Sequence, residues 1–245
     1  MKIKELPIEY YIERLRKNEY FSFPGYSDAE WIAMLKTSIG NQTAAGQLWT
    51  DEIGDQLLTS IKAHRKDPSF MPAYPKIINQ WGLGKEIEKF MYSHGLHNTT
   101  FYERDMVTDD LAAEAGLAPF IKQLRLMDVY LVGNITLRGL HFLNYKKHFV
   151  TETLYNFHVE TRAIKTMVND ILEFGKPGVY LFSVGMSDAV MISELHGKMK
   201  DSFLIDVGSM WDAFVGMGGN RTWRQELYKD PKKWVEWVTK NLDGV

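Results

Sequence analysis

Two acidic residues near the amino terminus, Asp28 and Glu30, are the first candidates for binding chemistry. They lie in the stretch FPGYSDAEW (23–31), between an aromatic run typical of a strand and an apolar run typical of a helix. In an extended turn, residues two apart point to the same side, so the pair could hold Mg²⁺ or Mn²⁺, which would bridge phosphates. On a continuous helix the two side chains point roughly 200° apart and cannot share one ligand. The alternative is structural, because Ser27-x-x-Glu30 matches a capping box in which Glu30 folds back onto the Ser27 backbone N–H.

The pattern around these residues recurs once in the chain. Residues 25–32 read GYSDAEWI and residues 185–192 read GMSDAVMI, and each follows a strand-like run. Both are predicted to form a strand, a tight glycine turn and a helix start, with Ser27 and Ser187 as N-caps. Helix N-termini at the carboxyl edge of a parallel sheet suit phosphate groups. Shared capping chemistry alone would give the same pattern.

The elements that must position these residues alternate along the chain. Predicted helices cover 8–17, 29–36, 47–64, 81–94, 109–124, 137–143, 161–174 and 189–198. Predicted strands cover 20–23, 97–102, 129–134, 148–154, 178–185 and 201–208. This alternation predicts an α/β fold: a single Rossmann-like domain with a mostly parallel sheet flanked by helices.

Composition limits the function classes. The 245 residues are 45% hydrophobic, which supports one large α/β domain or two small ones. Lys plus Arg number 29 against 31 Asp plus Glu, so no domain-wide basic field recruits nucleic acid. The absence of cysteine excludes disulfides, thiolate metal sites and a cysteine nucleophile. No signal peptide or membrane-spanning run is recognisable, so a soluble, cytoplasmic protein is expected. The sequence also lacks a P-loop motif and the G-x-S-x-G motif of α/β-hydrolases.

The order of landmarks resembles that of the glycosyltransferases of the GT-D fold, formerly an uncharacterised domain family. FSFPGYSDAEW (21–31) is similar to the family's Asp-x-Glu stretch, with Asp28 and Glu30 at the motif positions. Ser27 and Ala29 stand where small residues, often glycine, are usual.

Three further stretches extend this resemblance to residues 8–214. VYLVGN (129–134) is similar to an apolar strand of the family that ends in glycine, and LYNFHVET (154–161) to a strand that leads to an Asn before a helix. VGMSDAVMISELHGKMKDSFLIDVGSMWDAF (184–214) is similar to the closing strand, helix and strand, which ends in Asp-x-Gly at Asp206.

The resemblance implies transfer of a sugar from a nucleotide sugar, with a UDP-sugar as the expected donor, to a hydroxyl acceptor. The acceptor would be a glycan, a glycoprotein or a hydroxymethylated base in DNA, and Mn²⁺ or Mg²⁺ would be held by Asp28 and Glu30. The residues expected to contact the donor are Gly25, Tyr26, Ser27, Asp28, Glu30, Gly133, Asn134, Gly185, Ser187 and Arg221. A non-catalytic module that binds a nucleotide or nucleotide sugar is the alternative.

Such a transfer also needs a base for the acceptor hydroxyl, and four residues are candidates. Asp206 ends an apolar strand, where site residues of open α/β sheets usually lie. His158 and Glu160 alternate with apolar residues, so both would project from one strand face toward a cleft, unless this strand is a solvated edge. Asp212 is the fourth candidate.

The carboxyl-terminal residues 215–245 are predicted to be a loop and helix extension of the single domain 1–245. Arg221 follows a glycine-rich loop, and its guanidinium suits phosphate, although the loop reads equally as a connector. A DNA acceptor would need a local basic surface. The basic residues available for it are Lys62, Arg65, Lys66, Lys146, Lys147, Lys198 and Lys200.

Overall fold

The computed structural model describes residues 1–37, 47–75, 82–104, 117–153, 156–159, 162–215, 236 and 239–243. Its strands are β1 (Lys2–Lys4), β2 (Ser22–Phe23), β3 (Ala73–Tyr74), β4 (Thr100–Glu103), β5 (Val129–Asn134), β6 (Lys147–Thr151), β7 (Val179–Ser183) and β8 (Phe203–Asp206). Its helices are α1 (Ile8–Lys17), α2 (Asp28–Leu35), α3 (Asp51–His64), α4 (Gly84–Ser93), α5 (Leu117–Leu124), α6 (Ala163–Phe174) and α7 (Ser187–His196).

The strands form two parallel sheets that meet along β2. The larger sheet has five strands in the order β2-β8-β7-β5-β6, and the smaller has three in the order β1-β4-β3. Every strand pair described is parallel. Isolated bridges from Ser22 to Phe70 and from Gly25 to Ala73 join the two sheets. The predicted α/β fold with a parallel sheet flanked by helices is confirmed.

Both faces of the larger sheet are covered, which explains why its central strand β5 is apolar without interruption from Val129 to Val132. Alternate residues of β5 enter different cores: Val129 and Leu131 pack with α1 and α5, whereas Tyr130 and Val132 pack with α3, α6 and α7. Successive side chains of a strand point to opposite faces, so a strand buried on both sides needs an apolar residue at each position. The carboxyl ends of these strands are therefore held in fixed positions.

Local signals set the helix ends. The α1 helix spans the predicted residues 8–17 and buries Ile8, Tyr11, Ile12 and Leu15, the spacing of one helical face. The α3 helix begins at Asp51 and not at residue 47, because the Thr50 side chain accepts a hydrogen bond from Ile53 N at 3.2 Å and caps it.

Two predicted elements are 3₁₀ turns. The helix expected at 137–143 consists of the turns Ile135–Gly139 and His141–Leu143. The strand expected to carry His158 is the turn Phe157–Val159, closed by a hydrogen bond from Val159 N to Asn156 O at 3.0 Å. The alternation of apolar and polar residues there reflects a turn, so the predicted strand face is wrong.

The chain's last described residues, Thr239–Asp243, return to the domain, where Leu242 is buried in the core that contains α1 and α5. None of the helices in the described ranges combines the length and apolar character needed to cross a membrane.

Candidate active site

Asp206, the last residue of β8, lies at the carboxyl edge of the larger sheet between β2 and β7. Its carboxylate accepts hydrogen bonds from Gly25 N at 2.9 Å, Gly208 N at 2.7 Å and Arg104 Nη2 at 2.9 Å. Asp206 thus ties the first glycine turn to the end of the neighbouring strand, and its role as a base, for which its position after an apolar strand made it a candidate, stays a prediction. Because three donors already engage the carboxylate, its first role is to position the turn and the guanidinium.

Arg104 and Asp188 belong to this site but were not among the residues predicted from the sequence. Arg104 follows β4 directly, and its Nη1 donates to Ser27 Oγ while Nη2 pairs with Asp206. Its side chain is 11% exposed. A charged residue two positions after a predicted strand was the only local signal for Arg104, because the partner carboxylate lies 102 positions away in the chain. Against the effect of burial, the positive charge of Arg104 lowers the pKa of the acidic residues in both glycine turns, Glu30 and Asp188.

The first glycine turn contains the predicted capping box. The α2 helix begins at Asp28, and the Glu30 carboxylate accepts a hydrogen bond from Ser27 N at 2.7 Å. Asp28 and Glu30 therefore both lie in the first helical turn, and Glu30 turns back to cap α2 while Asp28 stays half-buried. The extended turn that would aim both carboxylates at one ligand is not the conformation described.

The second glycine turn is built differently from its sequence twin. Gly185 has a φ of +66°, and α7 begins at Ser187 itself, after Met186 in the right-handed helical region. The predicted N-cap role of Ser187 is wrong, since its Oγ is buried without a hydrogen-bond partner. Asp188 closes the turn instead, and both of its carboxylate oxygens lie 2.9 Å from Val184 N.

These side chains form a buried acidic cluster, defined as Glu30, Asp188 and Asp206, around Arg104. Burial raises the pKa of Glu30 to about 7 even though Arg104 pulls it down. Burial also raises the pKa of Asp188, with the Asp206 charge adding to the effect, and burial raises that of Asp206 against the opposing pull of Arg104. The cluster holds more acidic groups than one guanidinium neutralises, so it favours protons or a further cation.

The residues present fit a divalent cation only in part. Within the described ranges, no group of three or more His, Asp or Glu side chains is arranged to hold a metal ion. Mg²⁺, however, is usually bound through one or two carboxylates together with substrate phosphates and water. Asp28 can supply such a ligand as it stands, and Glu30 can do so only if it releases Ser27 N.

Two further predicted residues lie on the same edge of the sheet, at the end of β5. Gly133 leaves no room for a side chain, because a Cβ there would lie 2.8 Å from Ser183 O on β7. The Asn134 side chain accepts a hydrogen bond from Thr136 N at 2.9 Å and caps the following 3₁₀ turn. With β7 and β8 between β5 and β2, the edge from Asn134 to Gly25 spans three strand spacings, roughly 14 Å.

Of the other candidate bases, His158 has the clearest placement. Its Nε2 lies 2.6 Å from the Leu48 carbonyl, to which it donates, so Nδ1 carries the lone pair, and Nδ1 is buried without a partner. Burial lowers the pKa of His158, which keeps the ring neutral. The Gln47 side chain lies against Gly185, where Oε1 would be 3.1 Å from a Cβ, so residues 47 and 48 connect His158 to the second turn.

The contacts described do not connect the remaining predicted residues with the acidic cluster or with Arg104. Asp212 is half-buried in the 3₁₀ segment Gly208–Val215, just beyond β8. Tyr26 is buried and its hydroxyl lies 2.6 Å from Ser60 Oγ, which points it into the core. Glu160 and Arg221 lie outside the described residues.

Comparisons with known proteins identify the fold. Neither a protein-family model nor a curated protein sequence matches the chain at a significant level. A solved structure described as a new glycosyltransferase from Streptococcus sanguinis, with domain of unknown function 1792, is 14% identical with a TM-score of 0.63, over 90% of this chain and 88% of that one. Another, reported to show that this domain has a distinct glycosyltransferase fold, is 16% identical with a TM-score of 0.59, over 94% and 90%.

A third solved structure, the selenomethionine-substituted form of domain of unknown function 1792, is 17% identical with a TM-score of 0.58, over 85% of this chain and 79% of that one. Identities this low establish the fold and nothing finer. The fold resemblance seen in the sequence is thereby confirmed.

Proposed function

We propose that the chain is a glycosyltransferase that moves a sugar from a nucleotide sugar, with a UDP-sugar as the expected donor, to a hydroxyl acceptor. The observation that carries this proposal is the Arg104–Asp206 pair, buried at the carboxyl edge of a glycosyltransferase fold between two glycine turns. Ligands of open α/β sheets bind at this edge.

The first glycine turn is suited to a diphosphate. Gly25 must lack a side chain, because a Cβ there would lie 2.3 Å from Asp206 Oδ2 and 2.6 Å from the Arg104 guanidinium. Gly25 therefore lets the turn pack directly against Asp206 and Arg104, and the amino terminus of α2 adds the positive end of its dipole. When the anomeric bond breaks, the nucleoside diphosphate gains negative charge, which Arg104 and this helix terminus would stabilise.

The acidic cluster explains why a divalent cation is part of the proposal. Three buried carboxyl groups beside one arginine would repel a diphosphate unless protons or a metal ion offset their charge. Asp28 would hold Mn²⁺ or Mg²⁺, joined by Glu30 if the capping box opens. When bound, the ion would neutralise charge on the diphosphate leaving group.

His158 is the base that the contacts favour. A general base needs a free lone pair, and Nδ1 of His158 has one, although it is buried and the acceptor hydroxyl would have to displace the residues that cover it, whereas Asp206 already accepts three hydrogen bonds. The neutral ring would take the proton of the acceptor hydroxyl as the new glycosidic bond forms. Replacing His158 by Gln should lower kcat by about 10²- to 10⁴-fold and leave donor binding unchanged.

The acceptor is proposed to be a hydroxyl of a glycan or glycoprotein. The basic residues that a DNA acceptor would use lie near the carboxyl ends of α3 and α7 and at the amino end of β6. These two helix ends meet, since the rings of His64 and His196 are 4.8 Å apart, and His196 contacts Ser22 at the amino end of β2. This basic surface is therefore at the edge opposite Asp206, far from where a base would react.

A thermal-shift experiment tests donor binding. UDP and UDP-sugars, each with and without Mn²⁺, are added to wild type, Asp28→Asn and the control Asp51→Asn. Asp51 is a matched control because it opens α3 as Asp28 opens α2, yet it is exposed and pairs with Lys36 at 3.4 Å. UDP with Mn²⁺ should raise the melting temperature of wild type and Asp51→Asn but not of Asp28→Asn.

Two results would contradict this reading. If no nucleotide shifts the melting temperature of wild type, the carboxyl edge is not a nucleotide site. If Asp28→Asn responds like wild type, Asp28 is not a ligand. Binding without donor hydrolysis or transfer to any glycan would favour the alternative, a non-catalytic nucleotide-sugar module.

A further inference from the structure

A second group of polar side chains lies at the opposite edge of the sheet. The Ser22 hydroxyl, at the amino end of β2, is 2.8 Å from His196 Nδ1, and His196 Nε2 is 3.1 Å from Asp67 Oδ2. Ser22 is buried, and the His196 side chain is 10% exposed. Residues 174 positions apart in the chain thus form a serine, histidine and aspartate relay that no local motif reveals.

Each member of this relay is held in place by its own neighbours. Ser69 donates to Asp67 Oδ1 from its backbone N at 2.9 Å and its Oγ at 2.6 Å, which leaves Oδ2 for His196. These hydrogen bonds, Oγ first, lower the pKa of Asp67 to about 2, so it is ionised at neutral pH. The His196 ring packs against the rings of His64 and Phe70, with centroids 4.8 Å and 5.1 Å away.

The relay opens into a cavity. Ser22, Asp67 and His196 line a cavity of about 300 Å³, together with Lys200 and Ser202. Ser202 directly precedes β8, and its Oγ is buried without a hydrogen-bond partner. A buried hydroxyl without a partner, on a residue that lines a cavity, is a donor that a bound oxygen would satisfy.

We infer that Ser22, His196 and Asp67 form a second active site, which hydrolyses esters of short acyl groups, with the Ser202 hydroxyl donating to the carbonyl oxygen. The geometry is that of an activated nucleophile: the serine is within hydrogen-bond reach of a base, and a carboxylate orients that base. The small cavity admits a short acyl chain, and the exposed Lys200 at its mouth favours esters that carry negative charge.

The reaction balances with these groups and water. Ser22 Oγ bonds to the carbonyl carbon while its proton passes to His196 Nδ1, and Asp67 holds the resulting imidazolium. The ester C–O bond breaks, and the alcohol leaves with the proton from His196, which leaves an acyl-Ser22 ester. Water then attacks this ester, gives a proton to His196, and releases the carboxylic acid as Ser22 recovers its proton.

Labelling with a fluorophosphonate tests the nucleophile. The full chain is incubated with the probe, and the adduct is counted by intact mass and located by peptide mapping. One adduct on Ser22 is expected in wild type and none in Ser22→Ala. The matched control is Ser93→Ala, since Ser93 also contacts a histidine ring, His94 Nδ1 at 3.0 Å, but is exposed at the end of α4 and should leave labelling unchanged.

Hydrolysis of p-nitrophenyl acetate tests the roles of His196 and Ser202. His196→Gln should slow both hydrolysis and labelling by at least about 100-fold, and Ser202→Ala should lower kcat by about 100-fold while Ser22 remains labelled. An unlabelled wild type, or an adduct mapped to another residue, overturns the inference whether or not a variant folds. An unchanged kcat in Ser202→Ala overturns the role of its hydroxyl. Donor binding measured by thermal shift should be the same in Ser22→Ala as in wild type. The proposed function and the second active site can therefore be refuted independently.

Discussion

Removing the Arg104 side chain should destabilise the protein strongly, and more so at high pH. In Arg104→Ala the buried carboxyl groups of Glu30, Asp188 and Asp206, which are 4%, 1% and 2% exposed, lose the Arg104 guanidinium that lies among them. Breaking a buried ion pair from one side costs about 3–5 kcal/mol. Since domains are stable by about 5–15 kcal/mol, this loss is a large part of the total.

The pH dependence separates the electrostatic part of this loss from lost packing. Burial already raises the pKa of Glu30 to about 7 with Arg104 in place, and without the guanidinium the pKa values of the acidic cluster should rise further. A carboxyl group whose pKa is higher in the folded state costs nothing below its unfolded value and destabilises as pH rises toward the folded value. Each such group contributes about 1.4 kcal/mol per pH unit across that window, so the loss should be smaller at pH 5 than at pH 8.

Urea unfolding at pH 5 and pH 8 measures both quantities. The control is Arg14→Ala, since the Arg14 side chain is also mostly buried, at 14% exposed, but its acidic partner, Glu19, is 3.8 Å away and 55% exposed. The Arg14→Ala loss should therefore change little between the two pH values. A loss from Arg104→Ala that is equal at both pH values, or below about 1 kcal/mol at pH 8, would refute the idea that this arginine balances a buried acidic cluster.

Two other substitutions test the first glycine turn. Gly25→Ala should lower the free energy of unfolding by roughly 1–3 kcal/mol and abolish nucleotide binding, because its Cβ would lie 2.3 Å from Asp206 Oδ2. The control is Gly197→Ala, whose Cβ would have nothing within 4 Å. It should match wild type in urea unfolding and in thermal shift. Equal stability of the two alanine variants would contradict this. Glu30→Gln keeps an oxygen for Ser27 N but removes a group whose pKa burial raises from 4.5 to about 7. Wild type should therefore lose up to about 3 kcal/mol of stability between pH 5 and pH 8 that Glu30→Gln does not lose. If the stability of the two proteins changes with pH in parallel, burial does not raise the pKa of Glu30.

Helices and strands were predicted well where the hydrophobic residues follow one clear pattern. The residue ranges of α1 and β5 coincide with the prediction, since the first has a single helical apolar face and the second is apolar at every position. The Ser27–Glu30 capping box was also predictable, because its hydrogen bonds join residues three apart. In each case the deciding interaction lies within one element.

The parts that could not be predicted depend on contacts distant in sequence or on a single backbone angle. No local pattern connects Arg104 with Asp206, or Ser22 with His196. The prediction from the repeated Ser-Asp-Ala motif was also wrong at its second copy. In the first copy Ser27 is the N-cap and α2 begins at Asp28, whereas in the second α7 begins at the serine itself, Ser187, and Met186 is already helical. Identical short sequences thus gave different caps, and only the fold distinguishes them.

The position of β8 has a consequence for how the chain is made. It is the last of the described strands in sequence but lies between β2 and β7, and its end contacts Gly25 across 181 residues. During synthesis, β2 and β7 must wait with open edges until β8 emerges, and such edges pair readily with other chains. A ribosome-bound chain that stops before residue 203 would therefore lack Asp206 and leave β2 and one edge of β7 unpaired, which makes the final insertion of β8 the step at which chaperone assistance would matter most.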